Sequence, residues 1–526
     1  MTRCESGQLG KLLKRAVLAS AALFFCASSL LAQDITLRSA GGGLELSGRY
    51  IGYDGENIQI DTEYGALTMR YDGLDCEGAD CLAVDGYVPE LRLSGASRMA
   101  EVLLPALVDG FARSSGYRVT SDQIDTVHFT QTLVDGPEDT PVAKFSFRST
   151  NTDEGFADLI AHEADMVMSV REVRRSEVRL AAEVGLGQLS SAKQSRIVGI
   201  DGLVPVVSSR ANVSAISLDT LAKTFAGEIV DLGQGDQPLT LHLGAVTDGQ
   251  AQRFIDVIVT GAGRLLSENV VRHASNDELA QAVAADPFAI GILPFTDVGR
   301  TQPIALQDAC GFISAPRITT LKTEDYPLTA PMFLYMPSRR LPPLADEFLA
   351  WMRGPQAQLV VRRAGFVDQG AIPIPLDSQG QRFANAIVAA GDDMPLVELQ
   401  RMVRVLAARV RLSTSFRFEV GSTRLDAQSR SNLLALAQAI RDGRYNSQPL
   451  MLVGFSDGRG GAVANRDLSL ERADAVLREL KSLFRGELPS DVIVETDAFG
   501  EALPMGCDDT EWGRQMNRRV ELWASQ

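Results

Sequence analysis

The stretch SDGRGGAVANRDLSLERA, residues 456–473, sets Asp457 in a glycine-rich turn and Arg472 near its far end. On its N-terminal side, PLMLVGFSD (449–457) reads as an apolar strand emptying into that turn. On its C-terminal side, LSLERADAVLRELKSLF (468–484) reads as a helix with Ser469 as its N-cap and Ala473, Val476, Leu477, Leu480 and Phe484 as its buried stripe. Strand ends and helix starts share one rim in α/β connections. The spacing therefore predicts Asp457 at a strand end beside Arg472 in the first turn of the next helix. Gly458, Gly460 and Gly461 leave that rim bare, so a ligand can approach the backbone. A carboxylate next to a guanidinium suits a zwitterion, with the ligand's ammonium on Asp457 and its carboxylate on Arg472. The bland alternative is an exposed ion pair worth about 0–1 kcal/mol.

Working outward, FRFEVGSTRL (416–425) reads as a strand and turn, and DAQSRSNLLALAQAIRDG (426–443) as a helix with Leu433, Leu434, Ala437 and Ile440 on one face. VIVETDAFGE (492–501) and NRRVELWA (517–524) close residues 412–526 as a βαβαββ domain. Ser456-Asp457, Gly460, Asn465, Leu468-Ser469, Arg472-Ala473 and the run Asn517 to Glu521 resemble the core motif of the OmpA-like peptidoglycan-binding domain. The resemblance implies that Asp457 and Arg472 grip the free amino-acid end of diaminopimelate in the wall stem peptide, with Asn465, Gly421 and Ser422 lining the site. Phe455 stands where that family often has histidine.

Upstream, residues 87–370 alternate strands with helices, the pattern of a mostly parallel sheet. LRLSGAS (91–97) is a strand ending in a small-residue turn, followed by a helix carrying Met99, Val102, Leu103, Leu107 and Phe111. FSFRSTNTDEGFADLIAHEADMVMS (145–169) repeats strand, polar turn, helix, strand. Backbone N–H groups and hydroxyls at such turns form anion sites. Ser94-Gly95-Ala96-Ser97, EADMVMSVREV, IDGLVPVVSSRANVSAISLDTLAKTFAGEI, ADPFAIGIL, KTEDYPLTAPMFLYM and GPQAQLVVRRAGFV occur in that order. Together they resemble the phosphate-binding proteins of bacterial ABC importers, type II periplasmic binding proteins whose two α/β lobes close on a tetrahedral oxyanion.

That resemblance implies an anion site of Ser94, Ala96, Ser97, Ser149, Thr150, Asn151, Thr152 and Ser169. The chain departs from the pattern in LTLHLGAVTDGQAQRF (239–254). Asp248-Gly249-Gln250 fills the Ser-Gly-Thr slot, Gly244 stands at about the arginine position, and Val170 replaces an acid. An aspartate facing an anion is repulsive, and the lost arginine removes charge-assisted hydrogen bonds. Weak or absent phosphate binding is expected, with another small anion or a protein partner in its place. The alternative is a solute receptor of a phosphate-type importer.

Residues 33–86 alternate like strands, punctuated by Gly41-Gly42-Gly43, DGEN and EYG, and read as a small all-β meander or barrel. Lys11, Lys14 and Arg15 precede the apolar run 16–32, the pattern of a signal peptide cut after Ala32. Bulky Phe24 and Phe25 before Cys26 do not fit a lipidation box. Export permits disulfides. Cys76, Cys81, Cys310 and Cys507 allow three pairings, of which the glycine-containing turn favours Cys76 with Cys81. Residues 371–411 read as a linker with three prolines, then a basic amphipathic helix over 396–411.

The whole chain carries a formal net charge of −16 over 526 residues, and residues 404–526 balance their charges. No basic face is offered to nucleic acid. The four histidines are scattered, and the cysteine spacings supply no metal site. Ser190-Ser191-Ala192-Lys193 fits Ser-x-x-Lys but lacks its Ser-Asp-Asn and Lys-Thr-Gly companions. The expectation is a non-enzymatic periplasmic protein without cofactor, associated with the cell wall or outer membrane and available to an envelope partner.

Overall fold

The computed structural model describes residues 34–39, 41, 43–78, 81, 87–233, 237–391, 394–419, 422 and 424–525. The expected leader and Gly421 lie outside the described residues. The chain divides into two units, Met1–Tyr87 and Val88–Gln526. Among the described residues, no helix is long and apolar enough to cross a membrane.

The first unit is a five-stranded antiparallel sheet. Strands Asp34–Ser39, Glu45–Tyr53, Asn57–Thr62 and Gly65–Arg70 form a meander, and Leu74–Glu77 returns to pair with the first. Period-2 alternation puts Ile35, Leu37, Ile58 and Ile60 on one fully buried face. Cys81 packs against that face and is bridged to Cys76.

In the second unit, residues 88–370 form two lobes joined by two long strands. In the first lobe Glu90–Ala96 pairs in parallel with Thr140–Thr150 and Met166–Ser169. Ser195–Val207 and Thr329–Tyr335 run antiparallel to each other. Thr329–Tyr335 pairs with Met166–Ser169 in the first lobe, and Ser195–Val207 with Ala289–Pro294 in the second. One sheet thus passes through both lobes. Helices Thr152–Ile160 and Leu104–Ser114 cover it, burying Phe156, Leu107 and Phe111.

The C-terminal domain is a sheet in the order Pro373–Ile374, Arg409–Arg417, Arg519–Ser525, Leu450–Phe455, Val494–Ala498. Helices Ala427–Arg441 and Ala462–Ser482 bury Leu433, Leu436, Ile440, Ala473, Val476 and Leu480 on one face. Leu434 of the expected stripe is only half-buried. The order is βαβαβ, a short helix Glu511–Asn517, then β.

Residues 371–411 are not the free linker that their prolines suggest. Pro373–Ile374 adds an edge strand, and helix Leu396–Ala407 buries Leu399, Met402 and Leu406 against Trp523, Val453 and Phe455 on the sheet's other face. The basic helix also ends before 411, because residues from Arg409 pair with the C-terminal strand. Phe455 is fully buried under the Arg519 guanidinium, 4.4 Å from its ring.

The C-terminal domain is joined to both lobes. Cys310 of the second lobe is bridged to Cys507, and Asp308 accepts the Cys507 N–H at 2.7 Å. Buried Asp325 receives Arg411 at 2.8 Å and Arg417 at 3.4 Å. Arg411 also faces Glu521 at 3.3 Å, and Glu521 holds Arg382 and Arg519. Towards the first lobe, Arg430 donates to the Ser190 carbonyl at 3.2 Å, and Ser431 to Gln369 at 2.6 Å. Ser190 thereby sits in a domain contact.

Candidate functional site

The helix after the glycine turn starts earlier than its sequence pattern implies. It spans Ala462–Ser482 with Gly461 at its N-cap, and Ser469 lies buried inside it. Ser469 caps nothing: its hydroxyl donates to the Arg466 carbonyl at 2.8 Å and accepts the Gly500 N–H at 3.1 Å. A good N-cap residue here sits where a second apolar stripe begins, which mimics a helix start in the sequence. Arg472 is therefore in the third turn. It still reaches the rim because the helix crosses the strand at Gly454, where a Cβ would stand 1.9 Å from the Ser469 carbonyl oxygen. Only glycine permits that approach.

Asp457 lies just past the Leu450–Phe455 strand, as the spacing predicts. Its carboxylate does not pair with Arg472 but accepts Arg518 Nε at 2.5 Å, and Arg518 also holds Glu511 at 3.0 Å. Arg472 lies half-buried, with its guanidinium 5.9 Å from the Phe418 ring centre. Its Nη1 is buried with no hydrogen-bond partner among the described residues. Burial, then the Arg518 charge, hold Arg472 below the ordinary guanidinium value, with Asp457 pulling the other way. Burial works against Arg518 too, but its hydrogen bond to Asp457 leaves it raised. The rim thus holds Asp457 and Glu511 on Arg518, with Arg472 nearby carrying an unmet donor.

The surrounding residues fix this rim. Asn465, in the helix's first turn, is buried and donates to Glu501. Ser422 accepts the Arg424 N–H at 2.9 Å, in the turn just after Phe418. Gly460 has φ +103°, a left-handed conformation natural to glycine. Gly458 N–H donates to Asp508 at 2.7 Å, and Asp508 accepts Asn517 Nδ2 at 2.9 Å. Arg518 and Glu511 escaped the sequence reading. Arg518 was legible only as part of the closing strand motif, and nothing along the chain marks its reach to Asp457.

In the two-lobed region, the hydroxyls of Ser94, Ser149, Thr150, Thr152 and Ser169 are spent on the protein itself. Ser94 donates to Asp158 at 2.5 Å and Ser149 to Glu101 at 2.6 Å. Ser169 donates to the Arg171 carbonyl at 2.6 Å, and Thr152 accepts the Val170 N–H at 3.2 Å. Asn151 caps its helix by accepting Glu154 N–H at 3.0 Å, and Thr150 points its hydroxyl at the Asn151 carbonyl, 3.5 Å away. Ala96 is buried and Ser97 half-buried at the strand's end.

Asp248-Gly249-Gln250 comes from the other lobe to meet them. A Cβ on Gly249 would lie 3.7 Å from the Ala96 side chain and 3.8 Å from that of Val170. Asp248 is the N-cap of helix Gly249–Phe254 and accepts the Gln250 N–H at 3.0 Å. Burial pushes its carboxyl up, while the Gln250 and Ala251 N–H groups and the Arg98 charge oppose that. Arg98, next after Ser97, donates to second-lobe Asp297 at 2.7 Å. Thr296 beside it donates to Asp201, whose carboxyl burial pushes up to about 7. Both polar side-chain atoms of buried Gln250 lack partners among the described residues. The lobes therefore meet through the chain's own charges, Arg98 on Asp297 and Arg174 on Asp256 at 3.2 Å.

These features have counterparts among known proteins. The PBP superfamily domain model matches residues 83–355, and the chain belongs to that superfamily. It carries in addition an OmpA-family domain, matched at residues 417–518. The probable lipoprotein YiaD of Escherichia coli K12 is 30% identical over 108 residues, 20% of this chain and 47% of that protein. The chain thus spans about half the length of that curated relative. Among solved structures, an ABC-type phosphate transport receptor from Vibrio cholerae aligns at 17% identity and TM-score 0.41, over 53% of this chain and 99% of the other. The peptidoglycan-associated lipoprotein from Burkholderia pseudomallei aligns at 25% identity and TM-score 0.19, over 21% and 90%. The families found are binding proteins.

Proposed function

We propose that this chain is a non-enzymatic, exported envelope protein that binds peptidoglycan through Asp457 and Arg472 and holds its two-lobed domain beside the wall. The unmet Nη1 donor of Arg472, next to the Asp457–Arg518 pair, carries the reading. A free amino-acid end of diaminopimelate supplies the carboxylate that Arg472 lacks and an ammonium for Asp457. Asn465, Ser422 and Gly421 are the proposed lining. The OmpA-family match supports wall association, and the relatives' names agree with an envelope location. The two-lobed domain, closed on Asp248 and the Arg98–Asp297 pair, serves as a module for a partner or for a small anion other than phosphate.

Sedimentation with purified diaminopimelate-type peptidoglycan tests this. Arg472→Ala and Asp457→Ala are each expected to weaken binding about tenfold to a hundredfold, since a severed charge-assisted bond costs roughly 1.5–3 kcal/mol. Arg478→Ala, exposed on the same helix, is expected to bind like the parent. Folded rim variants that sediment as well as the parent would refute the clasp.

A further inference from the structure

Between the first lobe and the C-terminal domain lies a cavity of about 420 Å³, within the range of small-ligand sites. Its walls come from strand Ser195–Val207, from the segments around Arg353 and Arg362, and from helix Ala427–Arg441 with the turn after it. Six arginines line it: Arg196, Arg353, Arg362, Arg430, Arg441 and Arg444. Only two carboxylates join them, and both are engaged. Asp368 holds Lys322 at 3.0 Å and Arg362 at 3.2 Å, and Asp442 accepts Gln438 at 2.8 Å. Arg430 reaches the Ser190 carbonyl, Arg441 lies over the Phe484 ring, and Arg444 hydrogen-bonds the Tyr445 side chain.

Arg196 and Arg353 are left over. Arg196 Nε is buried without a hydrogen-bond partner among the described residues, and the hydrogen bond of Arg353 is one from Nε to the Leu349 carbonyl at 3.4 Å. Burial, then the charge of Arg353, depress the Arg196 guanidinium. Two neighbouring guanidiniums that repel each other are relieved by an anion between them. Val198, Leu349, Met352 and Leu434 form an aliphatic part of the remaining wall, beside the polar Ser195, Gln358, Gln369, Ser431 and Gln438.

We propose that this cavity is a binding site for an amphiphilic anion, with a carboxylate or phosphate monoester head on Arg196 and Arg353 and a short hydrocarbon body on the aliphatic wall. Guanidinium planes match both head groups in bidentate geometry. The site differs from the peptidoglycan rim and from the cleft between the lobes, and it exists only because the C-terminal domain docks on the first lobe.

Titration calorimetry of the full chain with octanoate and with monooctyl phosphate tests the site, with octylamine and octyl glucoside as cationic and neutral probes. One or both anions are expected to bind, less tightly as salt rises, and the preferred anion separates a fatty-acid type of ligand from a phosphate-ester type. Arg353→Gln, at an exposed position, and Arg196→Gln are each expected to weaken anion binding at least tenfold while wall sedimentation stays at the parent level. Three results would overturn the site: neither anion binding, equal binding of the neutral or cationic probe, or anion binding that Arg353→Gln leaves unchanged with the circular dichroism of the parent.

Discussion

Asp325→Ala tests whether the C-terminal domain is held on the second lobe by its buried charges. Asp325, 3% exposed, receives Arg411 at 2.8 Å and Arg417 at 3.4 Å. Burial alone would raise its carboxyl, but the charges of Arg411, Arg382 and Arg417 outweigh it and hold it below the ordinary value. Removing one partner of a buried pair costs roughly 3–5 kcal/mol, mostly for the charge left behind. Arg411 retains Glu521 at 3.3 Å, and Arg417 retains the carbonyls of Glu324, Gln515 and Met516. The lower end, about 3 kcal/mol, therefore applies, a rise of about a hundredfold in the separated population.

The disulfide would mask this rise, so the assay uses Cys310→Ser, which leaves Cys507 as a buried thiol, 6% exposed. Its labelling rate, read by peptide mass spectrometry, reports the separated state. Adding Asp325→Ala is expected to speed labelling about a hundredfold at neutral pH. The folded carboxyl is depressed, so its stabilisation is complete above the unfolded value of about 3.9 and is lost as pH falls through the folded value. Parent and variant rates are thus expected to converge only in acid. Labelling within threefold of the Cys310→Ser parent at pH 7 would sink the claim that Asp325 holds the junction.

Single contacts yield further outcomes. Gly454→Ala puts a Cβ against the Ser469 carbonyl and is expected to destabilise the C-terminal domain by about 3 kcal/mol, seen as an earlier denaturant midpoint; an unchanged midpoint contradicts the crossing. The parent is expected to show no tight phosphate binding by calorimetry, and Asp248→Ser with Gln250→Thr and Gly244→Arg together to strengthen it. Gly244→Arg alone is expected to destabilise the second lobe, because its Cβ would meet Asp248 Oδ2 at 2.4 Å. Mostly buried Glu324 is held well above the usual carboxyl value, by burial first and Asp426 next. Its stabilising protonated form persists in acid and is lost as pH rises through the folded value. Glu324→Gln is therefore expected to match the parent in acid and exceed its melting temperature in alkali; identical pH profiles refute this.

Local pattern carried much of the architecture. Alternation in residues 34–78 defined the β meander, because one face of a sheet must be buried. Helical spacing located Ala427–Arg441 and most of Ala462–Ser482, because their apolar stripes pack on one sheet. The motif residues from Ser456 to Ala473 marked the rim, and Asp248 marked the altered cleft, since charge and residue type at a turn are visible without coordinates. What tertiary structure alone decided are pairings between residues distant along the chain. Asp457 turns to Arg518 rather than Arg472, because the last strand brings Arg518 alongside. Arg98 closes on Asp297 across the cleft, and Cys310 meets Cys507 across 197 residues. Residues 371–395 look like a linker because their prolines and polar turn carry no strong periodic signal. Their place against the sheet is set by Trp523, Val453 and Phe455, which need a second layer to cover them. An isolated polar residue does not show which partner compensates its burial, and the fold supplies that partner.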